Sequence, residues 1–243
     1  PSTAKIYTDM SYMTSNVDVT NDLTKFFHFL TGFSKKGKLD ELYMSPAQIK
    51  PKILSLIQNE ARKGKDGQII AKVNSLVDDD VIRALYKASQ AGVRIDLIVR
   101  GICCLKPGIE GVSENIRVIS ILGKYLEHPR VFYFKNDQTK IYISSADWMP
   151  RNLMRRIELL TAIKDEDSKT KILQILKLQI ADNTLAHELQ SDGSYKKVKC
   201  AEGDKIINNH KMLEEHVSKV MKALQKESVS SAEQLANRLF LES

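Results

Sequence analysis

The pattern of apolar and polar positions divides the chain into alternating elements. Over residues 17–30 apolar side chains recur at helical spacing, with Leu23, Phe26, Phe27 and Leu30 as the predicted buried face and Thr20 or Asn21 as the predicted cap. His28 falls among these aromatics and reads as packing. The polar, glycine-bearing stretch 32–41 reads as a connector and a domain boundary. A second helix is predicted over 51–64, with Ile53, Leu54, Ile57 and Ala61 on one face. Strands are predicted at 68–74, 93–100, 116–122 and 156–163, and a hairpin pairs 131–134 with 141–145. The helix at 78–92 is acidic in its first turn and closed by Gly92, as the helix dipole and a left-handed cap prefer. Helices at 166–182 and 206–225 follow, with a late strand at 196–201 between them. Beyond Lys226 the chain reads as a helix or a loose tail. This alternation predicts an α/β layered fold with a mixed sheet.

Composition narrows the class of protein. With 243 residues, 42% hydrophobic and 28% charged, the chain can bury a sizeable core, as one large domain or two small ones. No apolar run approaches the ~20 residues of a membrane helix. The N-terminus, PSTAKIYTDM, has no basic n-region and no apolar h-region, so no secretory signal is expected. It also lacks Met, and further residues are expected upstream. Cys103, Cys104 and Cys200 are too few and too poorly spaced for a zinc site, and read as free thiols in a reducing cytoplasm. Lys and Arg outnumber Asp and Glu by 37 to 30, a net charge of +7. That excess favours a polyanionic partner: nucleic acid, nucleotide, polyphosphate or an acidic membrane surface.

Chemistry concentrates in two places. The strand at 93–99 delivers Arg100 at its carboxyl end, where α/β sheets bind ligands, and a loop with Lys106, Gly108, Gly111 and Ser113 follows, leading to Arg117. The second concentration has His128 and Arg130 before a strand, then Ser144, Ser145, Asp147, Arg151, Asn152, Arg155 and Arg156. Guanidinium groups hold phosphate oxygens in bidentate fashion, hydroxyls and amides add donors, and histidine can act as acid, base or phosphoryl acceptor. Gly32 to Lys38 imitates a phosphate loop, but Leu39 stands where the metal-binding hydroxyl belongs, and the stretch follows a helix rather than a strand. It reads as a basic linker.

The layout resembles one half-site of the phospholipase D superfamily in degenerate form, with His128-x-Arg130 in place of His-x-Lys and Lys135 where the motif has Asp. Four stretches then resemble polyphosphate kinase signatures: TAKIYTD (3–9), VRGICCLKPGIEGVSENIRVISILGKYLEH (99–128), HPRVFYF (128–134) and YISSADWMPRNLMRRIE (142–158). The similarity spans essentially the whole chain. It implies an α/β fold with a phospholipase D-like mixed sheet flanked by helices and a C-terminal helical segment. It further implies that residues 1–41 end a first catalytic domain and residues 42–243 form a second.

Function follows from the same resemblance. It implies reversible transfer of the ATP γ-phosphate to polyphosphate through a phosphohistidine. Tyr7 matches a nucleotide-binding tyrosine, Arg100 an ATP-binding arginine, His128 the second active-site histidine, and Arg156 resembles a phosphate-holding arginine. Arg117, Arg130, Arg151 and Arg155 are further candidates for a polyphosphate path. The phosphorylated histidine and the Mg²⁺-associated arginines are expected upstream, so this chain alone is expected to be inactive. His28, His187, His210 and His216 do not sit in the matching motif. The implied partners are ATP or ADP and polyphosphate in a cytoplasmic homo-oligomer, without nucleic acid and with peripheral membrane association left open. Two other readings stay open on residue chemistry alone: a phospholipase D-like phosphodiesterase or nuclease, and a non-catalytic polyanion-binding module.

Overall fold

A computed structural model describes residues 5–35 and 38–225. In chain order the elements are β1 (Tyr7–Thr8), α1 (Val17–Leu30), β2 (Leu42–Met44), α2 (Ile49–Ala61), β3 (Gln68–Val73), α3 (Asp79–Gln90), β4 (Arg94–Val99), β5 (Ile116–Ile121) and β6 (Leu126–Glu127). Then come β7 (Arg130–Phe134), β8 (Ile141–Ser144), α4 (Pro150–Met154), β9 (Leu159–Ala162), α5 (Glu166–Ile180), β10 (Ala186–Leu189), β11 (Tyr195–Lys197) and α6 (Asn209–Gln225).

The main sheet has nine strands in the order β11-β10-β5-β4-β3-β7-β8-β9-β2. Its centre, β3-β4-β5, is parallel, and the flanking pairs are antiparallel. QIIAKV, RIDLIV and IRVISI are near-continuous apolar runs because these strands are covered on both faces. On one face α2 and α3 pack Ile53, Ile57, Val81 and Leu85 against Ile69, Leu97 and Val118. On the other, Ile172 and Leu176 of α5 pack against Ile70, Ile98 and Ile119. The expected mixed sheet flanked by helices is therefore what the chain forms.

Several local expectations are corrected. The cap of α1 is Asn16, whose side chain accepts from the Asp18 and Val19 amides. Thr20 instead sits inside the helix and donates its hydroxyl to the Asn16 carbonyl. Val19, Asp22 and Phe26 form its buried face, whereas Leu23, Phe27 and Leu30 are 37%, 53% and 42% exposed. His28 is exposed, with its ring 5.0 Å from that of Phe33. Pro51 lies inside α2 rather than at its start, in a first turn that needs no amide from it. The strands β1, β2, β6 and β10 were not expected, and each has four residues or fewer. The residues beyond Lys226 lie outside the described part. The three cysteines are unpaired.

The topology brings the chemistry-bearing loops to one end of the sheet. The carboxyl ends of β3 and β4 point the same way. β7 runs antiparallel to β3, with Val131 opposite Lys72, so it starts at that end. β8 returns there, with Ser144 opposite Arg130. Outside the main sheet, β1 and β6 form a two-stranded parallel ribbon, Tyr7 opposite Leu126 and Thr8 opposite Glu127.

Candidate active site

The ribbon carries Tyr7, Asp9 and His128 to one place. The His128 amide donates to the Thr8 carbonyl at 3.2 Å, extending the ribbon pairing by one residue. The imidazole Nδ1 lies 2.8 Å from Asp9 Oδ2. The Tyr7 ring meets the imidazole edge-on, with centroids 5.0 Å apart and planes at 81°. Arg130 Nη1 lies 3.1 Å from His128 Nε2 and donates to the His128 carbonyl at 3.1 Å. In the tautomer that donates from Nδ1 to Asp9, Nε2 is left as an acceptor facing Arg130, whose Nη1 also lies 3.4 Å from Nδ1.

Arg130 is held from behind by Asp147. Its Nη2 donates to Asp147 Oδ2 at 3.0 Å and its Nε to Oδ1 at 3.3 Å. The buried Asp147 also accepts from the Asn74 amide at 2.7 Å and the Ser75 amide at 3.3 Å, at the carboxyl end of β3. Asn74 in turn donates its side-chain amide to the His128 carbonyl at 3.2 Å. Arg100 follows β4 at the same end, half-buried, with its carbonyl accepting from Ser120. The next residue, Gly101, donates to the Asn74 carbonyl at 2.8 Å, and a Cβ there would stand 3.0 Å from that oxygen. Glycine permits this close approach, which sets Arg100 beside the strand end that fixes His128.

Arg155 and Arg156 are exposed on the segment after α4, and Arg151 is exposed within α4 itself. Two residues on, Glu158 binds Ser145 Oγ at 2.5 Å and Asn152 Nδ2 at 2.7 Å. Ser144 Oγ donates to the Leu159 carbonyl at 2.8 Å. The hydroxyls and amide expected as anion donors thus build the turn that presents the arginines. Arg117 does not join the site: it pairs with Glu188 at 2.8 Å and sits opposite Asp96, toward the other end of β5. Ser113 is likewise internal, clamping the Lys106 carbonyl at 2.7 Å.

Sequence reasoning passed over Asp9, Asn74 and Glu127. Asp9 stands in the IYTD stretch and Glu127 directly before His128, so their places were visible although their roles were not. A cavity of about 530 Å³ opens on the His128 side, lined by Asp9, Tyr12, His128, Arg130, Ser144 and Ser145. Among the described residues no group of three or more His, Cys, Asp or Glu is placed to hold a metal ion. An imidazole oriented by a carboxylate, beside a guanidinium fixed by another carboxylate, can exchange a proton with a phosphate oxygen while the cation neutralises its charge.

Residues 42–210 match the family model described as polyphosphate kinase C-terminal domain 2, and residues 1–36 match polyphosphate kinase C-terminal domain 1. The chain belongs to the polyphosphate kinase family. The polyphosphate kinase of Campylobacter coli is 60% identical over 242 residues, 99% of this chain and 34% of the relative. That of Helicobacter pylori (strain J99) is 53% identical over 199 residues, 82% of this chain and 29% of the relative. The crystal structure of a polyphosphate kinase from Porphyromonas gingivalis superposes with a TM-score of 0.81 at 35% identity, covering 87% of this chain and 33% of that one. The chain therefore spans about a third of the length of the curated polyphosphate kinases it matches.

Proposed function

We propose that this chain supplies the nucleotide-phosphate side of an ATP:polyphosphate phosphotransferase. In this reading residues 1–41 complete one catalytic domain and residues 42–243 form the next. The phosphoryl-accepting histidine belongs to the part of the longer relatives that this chain does not span. In the forward direction a bond forms between that histidine's nitrogen and the γ-phosphorus while the bond to the β-phosphate oxygen breaks, releasing ADP. A terminal oxygen of polyphosphate then attacks the phosphorus and the nitrogen leaves. Tyr7 stacks on adenine, Arg100 and Arg156 bind phosphate oxygens, and His128 moves the proton that the changing phosphate charges require. Arg130 neutralises charge beside it. Positioning and charge neutralisation make up most of what phosphoryl transfer needs from a protein.

The observation that carries the reading is the His128 ring held by Asp9, Tyr7 and Arg130 at the sheet end that also bears Arg100. The test is calorimetric titration of the chain with ATP, ADP and long-chain polyphosphate at two salt concentrations, repeated with His128→Ala and Arg100→Ala. Nucleotide affinity is expected to fall roughly tenfold or more in each variant, the loss of a charge-assisted contact worth about 1.5–3 kcal/mol. Binding that ignores adenine and both substitutions, and follows salt alone, would leave only a basic surface.

A further inference from the structure

Glu127 closes β6 directly before His128, and its carboxylate is buried among groups from three other elements. The Lys72 ammonium of β3 donates to Oε2. Gln179 of α5 donates to the same oxygen at 3.1 Å, and His210 of α6 lies 2.7 Å from Oε1. Lys72 also donates to Gln179 Oε1 at 3.1 Å, closing the network. All four residues are at most 5% exposed.

The ribbon beside this network is too short to hold itself, having two residues in each strand. Glu127 is the ribbon residue paired with Thr8, and its neighbours in sequence and register are His128 and Asp9. The carboxylate therefore ties the strand that carries His128 to the main sheet through Lys72, to α5 through Gln179 and to α6 through His210. The second tie is tightly packed. The His210 ring meets Tyr125 at 5.4 Å between centroids, and a Cβ on Gly123 would stand 2.7 Å from His210 Nδ1. Burial opposes ionisation of Glu127, but His210 and Lys72 outweigh it and hold the carboxyl down at about 2. Burial pushes the Lys72 ammonium below its ordinary value against the pull of Glu127. A buried ion pair is seldom the most stabilising way to fill such space, and its geometric demands suit a role in fixing orientation.

We propose that Glu127 is a positioning residue: by joining β6 to Lys72, Gln179 and His210 it sets the orientation of the His128 imidazole and of the Tyr7–Asp9 strand beside it. The proposal rests on the reading of His128 as a nucleotide-phosphate residue, and the experiment separates the two. The 243-residue chain is compared with Glu127→Gln, which keeps the shape and removes the charge. The imidazole ¹⁵N resonances of His128 and the affinity for ATP are measured alongside the urea midpoint. The expected result is a folded variant in which the single Nδ1–H pattern of His128 gives way to averaged tautomers, with ATP affinity down roughly tenfold. A lower urea midpoint with an unchanged His128 pattern and ATP affinity within twofold would mean a structural role only, and would overturn the proposal. If Glu127→Gln does not fold, His210→Gln, which leaves the Lys72–Glu127 pair in place, decides by the same two readouts. His128→Ala leaving ATP binding unchanged would sink the nucleotide reading, while the imidazole pattern would still decide the role of Glu127.

Discussion

At the scale of single residues, Arg130 is defined by what stands behind it. The Asp147 carboxylate takes the Asn74 and Ser75 amides as well as the guanidinium, so one group fixes both a strand end and a cation. Asp147→Asn removes the charge and turns an NH₂ toward donors that need an acceptor. The expected cost is about 2–4 kcal/mol, the range for breaking a largely buried pair while leaving its partner in place. The check is a urea unfolding midpoint, combined with Arg130→Met in a double-mutant cycle. Adding Arg130→Met to Asp147→Asn should recover part of the loss, because the unpaired cation goes with it. Strictly additive effects would show that the two side chains do not depend on each other.

At the scale of elements, α1 presents two apolar stripes, and the polar Asp22 decides which one is buried. Burial raises its carboxyl, but the Glu41 amide, Lys25 and the Leu42 and Asp40 amides more than reverse this and hold it below its ordinary value. Those amides bond to Asp22 Oδ2 at 2.6 Å for Asp40, 2.6 Å for Glu41 and 3.2 Å for Leu42, where the chain turns into β2. Asp22→Ala would leave them without an acceptor, a loss of roughly 2–4 kcal/mol. Hydrogen exchange should then quicken at the Leu42 amide and leave the β3–β4 amides unchanged; equal protection in both variants would show that packing alone docks α1. This also marks where sequence reading stops. Spacing cannot choose between the Val19–Phe26 stripe and the Leu23–Leu30 stripe, since the deciding carboxylate is itself polar. The central strands were legible because burial on both faces leaves long apolar runs. β1 and β6 were not, because two residues carry no period. The nearness of Tyr7 to His128 depends on that unseen ribbon, so the sequence offered both residues through resemblance and neither their contact nor the Asp9 that orients the ring.

At the scale of the whole molecule, the buried carboxylates make stability depend on acid. Glu127 titrates at about 2 in the folded chain against an ordinary value of 4.5, so its folded form holds the proton less tightly than its unfolded form. A depressed carboxyl contributes stability that is present above the unfolded value and is lost as pH falls through the folded one. The window here is therefore from about pH 4.5 down to about 2. The full contribution is about 3 kcal/mol, following from the difference between the two values. Asp22 and Asp182 are also held below their ordinary values, against the opposing effect of burial, by backbone amides and side-chain partners, so the wild-type slope is shared among several groups. Glu127→Gln isolates one share: it should be less stable than the wild type at pH 7, and the gap should narrow as pH falls below 4.5. Urea midpoints at fixed ionic strength between pH 7 and pH 3 measure this directly. A gap that stays constant across that range would mean that the carboxylate is not held charged by Lys72 and His210. The joint between the ribbon and the main sheet would then rest on packing alone, and α6 would no longer be tied electrostatically to the strand that carries His128.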